Sequence, residues 1–205
     1  MYKGKDDVVR KIANSRGQIA ILIDPEKVII DDSFALLIVK IEKAGIDFIF
    51  VGGSTVTEKQ QRACISAIKA QTKIPVVIFP GCPEQIDENA DSILFLNLIS
   101  GRNPDYLITN QIKAVPKLIH SKLEVIPTAY LLVDGGKETT VQKISQTKAL
   151  SRDNFELALH TALAGVMMGN ALVYFDAGSG AEKTVPENWI AQMRTYFDQP
   201  IIVGG

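Results

Sequence analysis

The 205-residue chain lacks several features that would each have pointed to a class of function. It has no basic excess: 22 Lys and Arg against 23 Asp and Glu leave a net charge of -1. That argues against broad nucleic-acid binding, which needs a basic face. The cations are scattered, with no run resembling a polybasic membrane patch. No apolar stretch approaches the roughly 18 to 20 residues of a spanning helix, so no stable membrane insertion is expected. The opening MYKGKDDVVRKIANSRG has no apolar core. No signal peptide is therefore expected, and the expected compartment is the cytoplasm. Only two cysteines occur, Cys64 and Cys82, far apart and without a CxxC pattern. They read as reduced, buried or half-buried thiols, not as a disulfide or metal site. His120 and His160 stand in helical patterns without a partnered acid, and read as surface or packing residues.

What is present is core-forming material. Hydrophobic residues make up 46% of the chain, which suits one folded domain over residues 1–205. Short β-rich runs alternate with helical patterns. Strands are expected at 19–24, 46–53, 74–81, 91–98, 123–136, 168–178 and 200–205. Helices are expected at 32–45, 55–72, 103–121 (interrupted by Pro116), 152–165 (capped by Gly165) and 186–197. The stretch GCPEQIDENA, 81–90, is too polar and broken for a helix. Trp189 and Met167-Met168 read as core. Nearly continuous apolar strands imply that both sheet faces are covered, as in parallel α/β architectures. A (β/α)8 barrel and a doubly wound sheet both fit that pattern. The barrel is preferred because polar groups and glycines gather where strands end, and barrel active sites sit on that rim. The chain stops after the seventh strand, so a C-terminally incomplete barrel is the expectation.

Three strand ends carry chemistry. LIDPEK places Asp24 after the first strand, where a carboxylate can hold a hard cation, act as a base, or cap the next segment. VGGST offers Ser54 and Thr55. The spacing of Thr55 to Glu58 predicts an ordinary capping box, and a hydroxyl beside Asp24 could instead complete a magnesium site. LVYFDAGSGA ends a strand in one acid, Asp176, followed by Ala177, Gly178, Ser179, Gly180 and Ala181. Small residues let backbone amides approach an anion, so this loop, with the Gly204-Gly205 turn of IIVGG, points to phosphate binding.

LIDPEK, FIFVGGST, VIFPG, LFLNLISGRNP, VIPTAYLLVDGG, LVYFDAGSGA and PIIVGG occur in this order from about Ile19 to Gly205. Together they resemble the geranylgeranylglyceryl phosphate synthase family, which includes the bacterial heptaprenylglyceryl phosphate synthases. The wording is closer to the branch shared by many archaea and some bacteria. The resemblance implies a modified TIM (β/α)8 barrel with its third helix replaced by extended chain. It implies magnesium-dependent transfer of a polyprenyl group, such as geranylgeranyl, from its diphosphate to the sn-3 hydroxyl of sn-glycerol 1-phosphate. By motif match, Asp24 and Ser54 would hold Mg2+. Tyr174, Phe175, Asp176, Ala177, Gly178, Ser179, Gly180, Gly204 and Gly205 would meet the glycerol phosphate. Asp176 and Tyr174 would be catalytic, and the family's usual residue at 176 is Glu, one methylene longer. Phe79, Phe95 and Leu98 would line the prenyl groove, with Tyr106 setting its depth. A homo-oligomer is also expected. Two further readings stay open: another phosphate-binding barrel enzyme, an isomerase or synthase, and a non-catalytic glycerol-phosphate-binding barrel.

Overall fold

The computed structural model describes residues 6–205; residues 1–5, part of the opening stretch expected to carry no leader, lie outside them. The chain folds as two compact units, Met1–Leu94 with Lys113–Val125, and Phe95–Ile112 with Ile126–Gly205.

The first unit holds α1 (Asp7–Asn14), β1 (Ala20–Ile23), α2 (Asp32–Lys43), β2 (Phe48–Val51), α3 (Glu58–Lys69), β3 (Val76–Ile78) and the start of β4 (Ser92–Asn97). Its strands pair in parallel and in chain order, with Ile21 opposite Ile49, Phe50 opposite Val77, and Ile78 opposite Ile93. All residues of β2 and β3 are buried, as expected of strands with covered faces. β1 departs from that expectation. Among the described residues it pairs only with β2, and Leu22 remains 52% exposed. Caps set the helix starts. The Asp31 carboxylate accepts from the Ser33 and Phe34 amides to open α2. At α3 the capping box joins Thr57 to Gln60, two residues later than the Thr55–Glu58 pair expected.

No helix forms between β3 and β4, in agreement with the broken pattern of 81–90. Side chains fasten this extended segment instead. Asp91 accepts two bonds of 2.8 Å from Lys69 Nζ and one of 2.7 Å from the Val76 amide. α1, which the sequence pattern did not reveal, is docked by one buried acid. Glu124 accepts from the Val8 and Val9 amides at 2.7 Å each.

The second unit holds the end of β4, a π-helical turn (Asp105–Thr109), the start of α4 (Asn110–Leu118), β5 (Glu124–Leu132, from Ile126 on), α5 (Thr140–Ser145), α6 (Phe155–Met167), β6 (Leu172–Asp176), α7 (Glu187–Met193) and β7 (Ile201–Gly204). β4, β5, β6 and β7 are neighbours in chain order. β5, β6 and β7 run parallel, with Tyr130 opposite Tyr174 and Asp176 opposite Gly204. Leu131, Val173 and Phe175 pack with Ala162, Trp189 and Met193 from α6 and α7 in one buried cluster. Burying Phe175 and Met193 completely contributes about 1.5 to 3 kcal/mol each.

Three helical features differ from expectation for physical reasons. The π turn arises because the Tyr106 carbonyl accepts from the Leu98 amide and the Gln111 side chain. The Asn110 amide then turns to Asp105, five residues back. Gly165 does not cap α6 but lies inside it, where a Cβ would come within 2.6 Å of the Ala129 Cβ; the helix sits that close to the sheet. α6 runs on to Met167, so Met167 and Met168 emerge from the core and are 82% and 68% exposed.

Candidate functional site

The first unit gathers Asp24, Glu26, Lys27, Gly53, Ser54 and Thr55 at the ends of β1 and β2. Pro25 stops the ladder after Asp24, and the chain turns back so that the Lys27 amide donates to the Asp24 carbonyl at 3.0 Å. Asp24 Oδ1 accepts from the Glu26 amide at 3.1 Å, and Oδ2 pairs with Lys27 Nζ at 3.1 Å. Thr55 Oγ1 donates to Glu26 Oε2 at 2.6 Å, joining the two strand ends. Gly53 lies against the Asp24 carboxylate, where a Cβ would stand 2.8 Å from Oδ1. The Ser54 hydroxyl has no hydrogen-bond partner among the described residues.

Gln85 holds the GGST turn in place. Buried to 1% exposure, it donates to the Gly53 and Val56 carbonyls at 3.0 and 2.9 Å and accepts from the Gly81 amide at 2.7 Å. Sequence reasoning missed it, since a glutamine inside GCPEQIDENA carries no sign of burial. The negative charge of Asp24 reaches beneath the turn. The Cys64 thiol is pushed up to about 12, first by burial and then by Asp24.

These donors fit a hard cation. A half-buried carboxylate and an unpaired hydroxyl are the oxygen ligands magnesium takes when substrate oxygens and water complete its shell. No cluster of three His, Cys, Asp or Glu residues occurs among the described residues, so no all-protein cage competes with that arrangement. Lys27 pairs with Asp24, but its side chain is 73% exposed and free to swing aside.

The second unit brings Tyr130, Tyr174, Asp176 and the small-residue turns together. Strand alternation places Tyr174 and Asp176 on one face of β6 and Phe175 on the other. The Phe175 side chain accordingly lies wholly within the apolar cluster, so only its backbone is available to a ligand. Ala177 packs in the same cluster, and its amide donates to the Gly204 carbonyl at 3.0 Å.

Both oxygens of Asp176 are engaged. The Gly178 amide donates to Oδ1 at 2.7 Å, and the Tyr130 hydroxyl donates to Oδ2 at 2.5 Å. The carboxylate is thereby fixed in direction while each oxygen keeps a further lone pair. Tyr130 and Tyr174 meet edge to face, with ring centroids 5.6 Å apart. Burial first, then the charge of Asp176 and its hydrogen bond, then Tyr174, hold the Tyr130 phenol well above its usual pKa. Burial and then Asp176 raise Tyr174 as well. Tyr130 was another residue that sequence reading passed over; inside VIPTAYLLV it resembles any β-strand aromatic.

Gly204 is required by close approach, since a Cβ there would lie 2.5 Å from the Tyr174 hydroxyl oxygen. In the AGSGA turn, the Gly178 amide serves Asp176 and the Ala181 amide serves the Gly178 carbonyl. The Ser179 and Gly180 amides have no acceptor among the described residues. Both residues are exposed, which leaves two donors open to an anion.

Of the residues expected around the prenyl chain, Phe79 is half-buried just past β3 in the first unit. In the second unit, Phe95 and Tyr106 are half-buried and Leu98 is buried, its amide bonded to the Tyr106 carbonyl at 3.1 Å. His120 and His160 are exposed, and both cysteines are free thiols.

With this geometry in view, the comparisons with known proteins are specific. The model of the PcrB family matches residues 11–205. The geranylgeranylglyceryl phosphate synthase of Zunongwangia profunda is 48% identical over 205 residues, spanning all of this chain and 87% of that protein. The enzyme of that name from Thermoplasma acidophilum is 39% identical over 201 residues, 98% of this chain and 78% of that protein. Two solved structures are closely similar. Wild-type GGGPS from Thermoplasma volcanium superposes with a TM-score of 0.89 at 34% identity, covering 99% of this chain and 81% of that chain. The Thermoplasma acidophilum (S)-3-O-geranylgeranylglyceryl phosphate synthase, in complex with its substrate sn-glycerol-1-phosphate, gives 0.87 at 38% identity, covering 100% and 82%. This chain shares their α/β, TIM-like fold.

Proposed function

The chain belongs to the PcrB family, and from that premise we propose that it transfers a geranylgeranyl group from its diphosphate to the sn-3 hydroxyl of sn-glycerol 1-phosphate. The observation that carries this reading is the pinned Asp176 carboxylate beside a turn with two open amides. A polyol with a phosphate at one end needs that pairing of an acceptor for hydroxyls and donors for an anion.

In the reaction the allylic C–O bond to the diphosphate breaks, and a new C–O bond forms to the glycerol oxygen, which gives up its proton. Asp176 accepts the hydrogen bond of that hydroxyl and draws off the proton, while Tyr130 and Gly178 keep the carboxylate aimed. Tyr174 backs the glycerol from the same face of β6. Asp24 and Ser54 would hold magnesium in the first unit. Magnesium held there would supply the positive charge that offsets the diphosphate leaving group. Lys27, paired with Asp24 at 3.1 Å and 73% exposed, would be free to release that carboxylate to a cation. Residence in the cytoplasm and a homo-oligomeric state complete the reading. No helix among the described residues is long and apolar enough to cross a membrane, and Leu36 and Val39 on α2 are exposed apolar residues available to a second copy.

The test is direct: radiolabelled sn-glycerol 1-phosphate with C20 and longer prenyl diphosphates, with magnesium and with chelator. Ether product that appears only with the metal is the expected result. Binding of sn-glycerol 1-phosphate without product from any prenyl length would leave the non-catalytic reading standing instead.

A further inference from the structure

The AGSGA turn of the second unit carries no positive side chain of its own before Lys183, yet a cation lies over it. That cation comes from the segment after β5. Gly135 binds this segment to the turn: its carbonyl accepts from the Glu182 and Lys183 amides at 2.8 and 3.0 Å. Gly178 packs directly on Thr139, where a Cβ would come within 2.1 Å of the threonine methyl. Between these two fastenings sits Lys137. Its Nζ stands 3.2 Å from the position a Cβ would take on Gly180.

Two independent features mark this ammonium as a ligand group. First, it has no ion-pair partner among the described residues, whereas nearby Lys143 pairs with Glu138 at 3.6 Å. Two other acids are close: Glu182 lies against Gly136, and Asp134 Oδ1 accepts from the Gly136 amide at 2.9 Å. Second, the turn it overhangs is the one whose Ser179 and Gly180 amides have no acceptor, while the amides of Ala177, Gly178, Ala181 and Glu182 are all used. A primary ammonium next to two open amides is a recognition set for a phosphomonoester dianion. The stem also has room to adjust, because Lys137 borders a cavity of about 600 Å3 with Asp134, Gln142 and Lys148.

We propose that Lys137 is the charged contact for the phosphate of the acceptor substrate, closing from the β5 segment over the Ser179 and Gly180 amides. Lys137 thereby sets the preference for a phosphorylated glycerol over glycerol itself. This rests on the reading that the second unit takes sn-glycerol 1-phosphate. It adds a residue that stands outside the turns from which that reading was built.

The experiment is calorimetric titration of the full chain with sn-glycerol 1-phosphate, with inorganic phosphate and with glycerol. Wild type is compared with Lys137→Met, Lys137→Arg and, as a control, Lys148→Met. Lys137→Met is expected to weaken both phosphate ligands about tenfold to a hundredfold, the range of a lost charged hydrogen bond. Lys137→Arg should restore most of that affinity, Lys148→Met should behave as wild type, and the KM for the prenyl diphosphate should not move. Phosphate binding by Lys137→Met as tight as wild type overturns the proposal. So does a loss that arginine does not rescue and that comes with a lower melting temperature. Wild type that binds inorganic phosphate through Lys137 but not sn-glycerol 1-phosphate would refute the substrate and leave the Lys137 site in place. Wild type that binds neither refutes both.

Discussion

Asp176 shows what one methylene changes. The family resemblance sets Glu at this position, and the shorter Asp has both oxygens taken up by Tyr130 and the Gly178 amide. Held so close to its own strand, the carboxylate works through direction more than reach. Tyr130→Phe therefore tests the site at its most sensitive point. Loss of one hydrogen bond to a charged acceptor costs about 1.5 to 3 kcal/mol, so kcat is expected to fall roughly tenfold to a hundredfold. The KM for the prenyl diphosphate should stay constant. Steady-state kinetics with each substrate varied separately check this, and an unchanged kcat would remove Tyr130 from the reaction. Because the Tyr130 phenol is raised well above its usual value, it stays protonated through the assay range, and no alkaline limb of the pH–rate profile below about pH 10 belongs to it.

The cysteines give a second residue-level expectation. Cys64 is fully buried and Cys82 half-buried, so a thiol reagent at neutral pH should label one cysteine in the native protein and two after unfolding. Burial raises the Cys82 thiol too, with Glu84 adding to it, so native labelling should be slow. The folded-state pKa of Cys64, about 12, lies above its ordinary value of 9.0. Its contribution to stability is therefore complete below pH 9 and is lost as pH rises through 12. Denaturant melts from pH 8 to 11 should show stability falling in that window, and Cys64→Ala should flatten the fall.

At the scale of elements, hydrophobic period located every strand and five of the helices, because the apolar runs are long enough to outweigh local ambiguity. α1 and α5 escaped because both are short. α1 buries only Val8 and Ile12, and α5 has just six residues and one buried side chain, Ser145. α1 does carry an apolar face, Val8 with Ile12, but over barely two turns, and α5 is shorter still, so neither pattern stands out from its surroundings. The fasteners were equally hidden, since a buried polar residue is defined by partners far away in sequence. Glu124 reaches back 116 residues to the Val8 amide. Glu124→Ala would leave one buried and one half-buried donor without a partner and should cost about 2 to 4 kcal/mol, lowering the melting temperature by roughly 5 to 15 °C. Glu124→Gln, which keeps one acceptor oxygen, should cost less. Calorimetric melts decide, and equal melting temperatures for all three would mean that α1 is held by other contacts. Gln85→Leu acts on the neighbouring loop: the Gly53 and Val56 carbonyls and the Gly81 amide would lose their partner. The expected effect is a raised magnesium requirement with little change in the KM for sn-glycerol 1-phosphate, read from magnesium titrations of activity.

For the whole molecule, the motifs made the fold class and the strand-end residues legible, because each is a short run whose chemistry stays local. Which faces remain open was less so. Covered strands were expected throughout, yet Leu22 on β1 and Val203 on β7 are about half exposed. Among the described residues both strands have a hydrogen-bonding neighbour on one side only, and single-sequence patterning cannot tell such a strand from a central one. Exposed apolar side chains elsewhere bear on the oligomeric state. Leu36 and Val39 lie three residues apart on α2 and so share one helical face, and Leu36 is 62% exposed. With a net charge of only -1, long-range repulsion does little to keep copies apart. Light scattering behind size exclusion should therefore give a mass that is a multiple of 22.4 kDa. Leu36→Glu puts a charge on that face without touching the core, and should shift the mass toward the single chain. Its circular dichroism should be unchanged. A wild-type mass of one chain at micromolar concentration would refute self-association. A multimer that survives Leu36→Glu would move the contact to another face, and the exposed Met167 and Met168 at the end of α6 would be the next to probe.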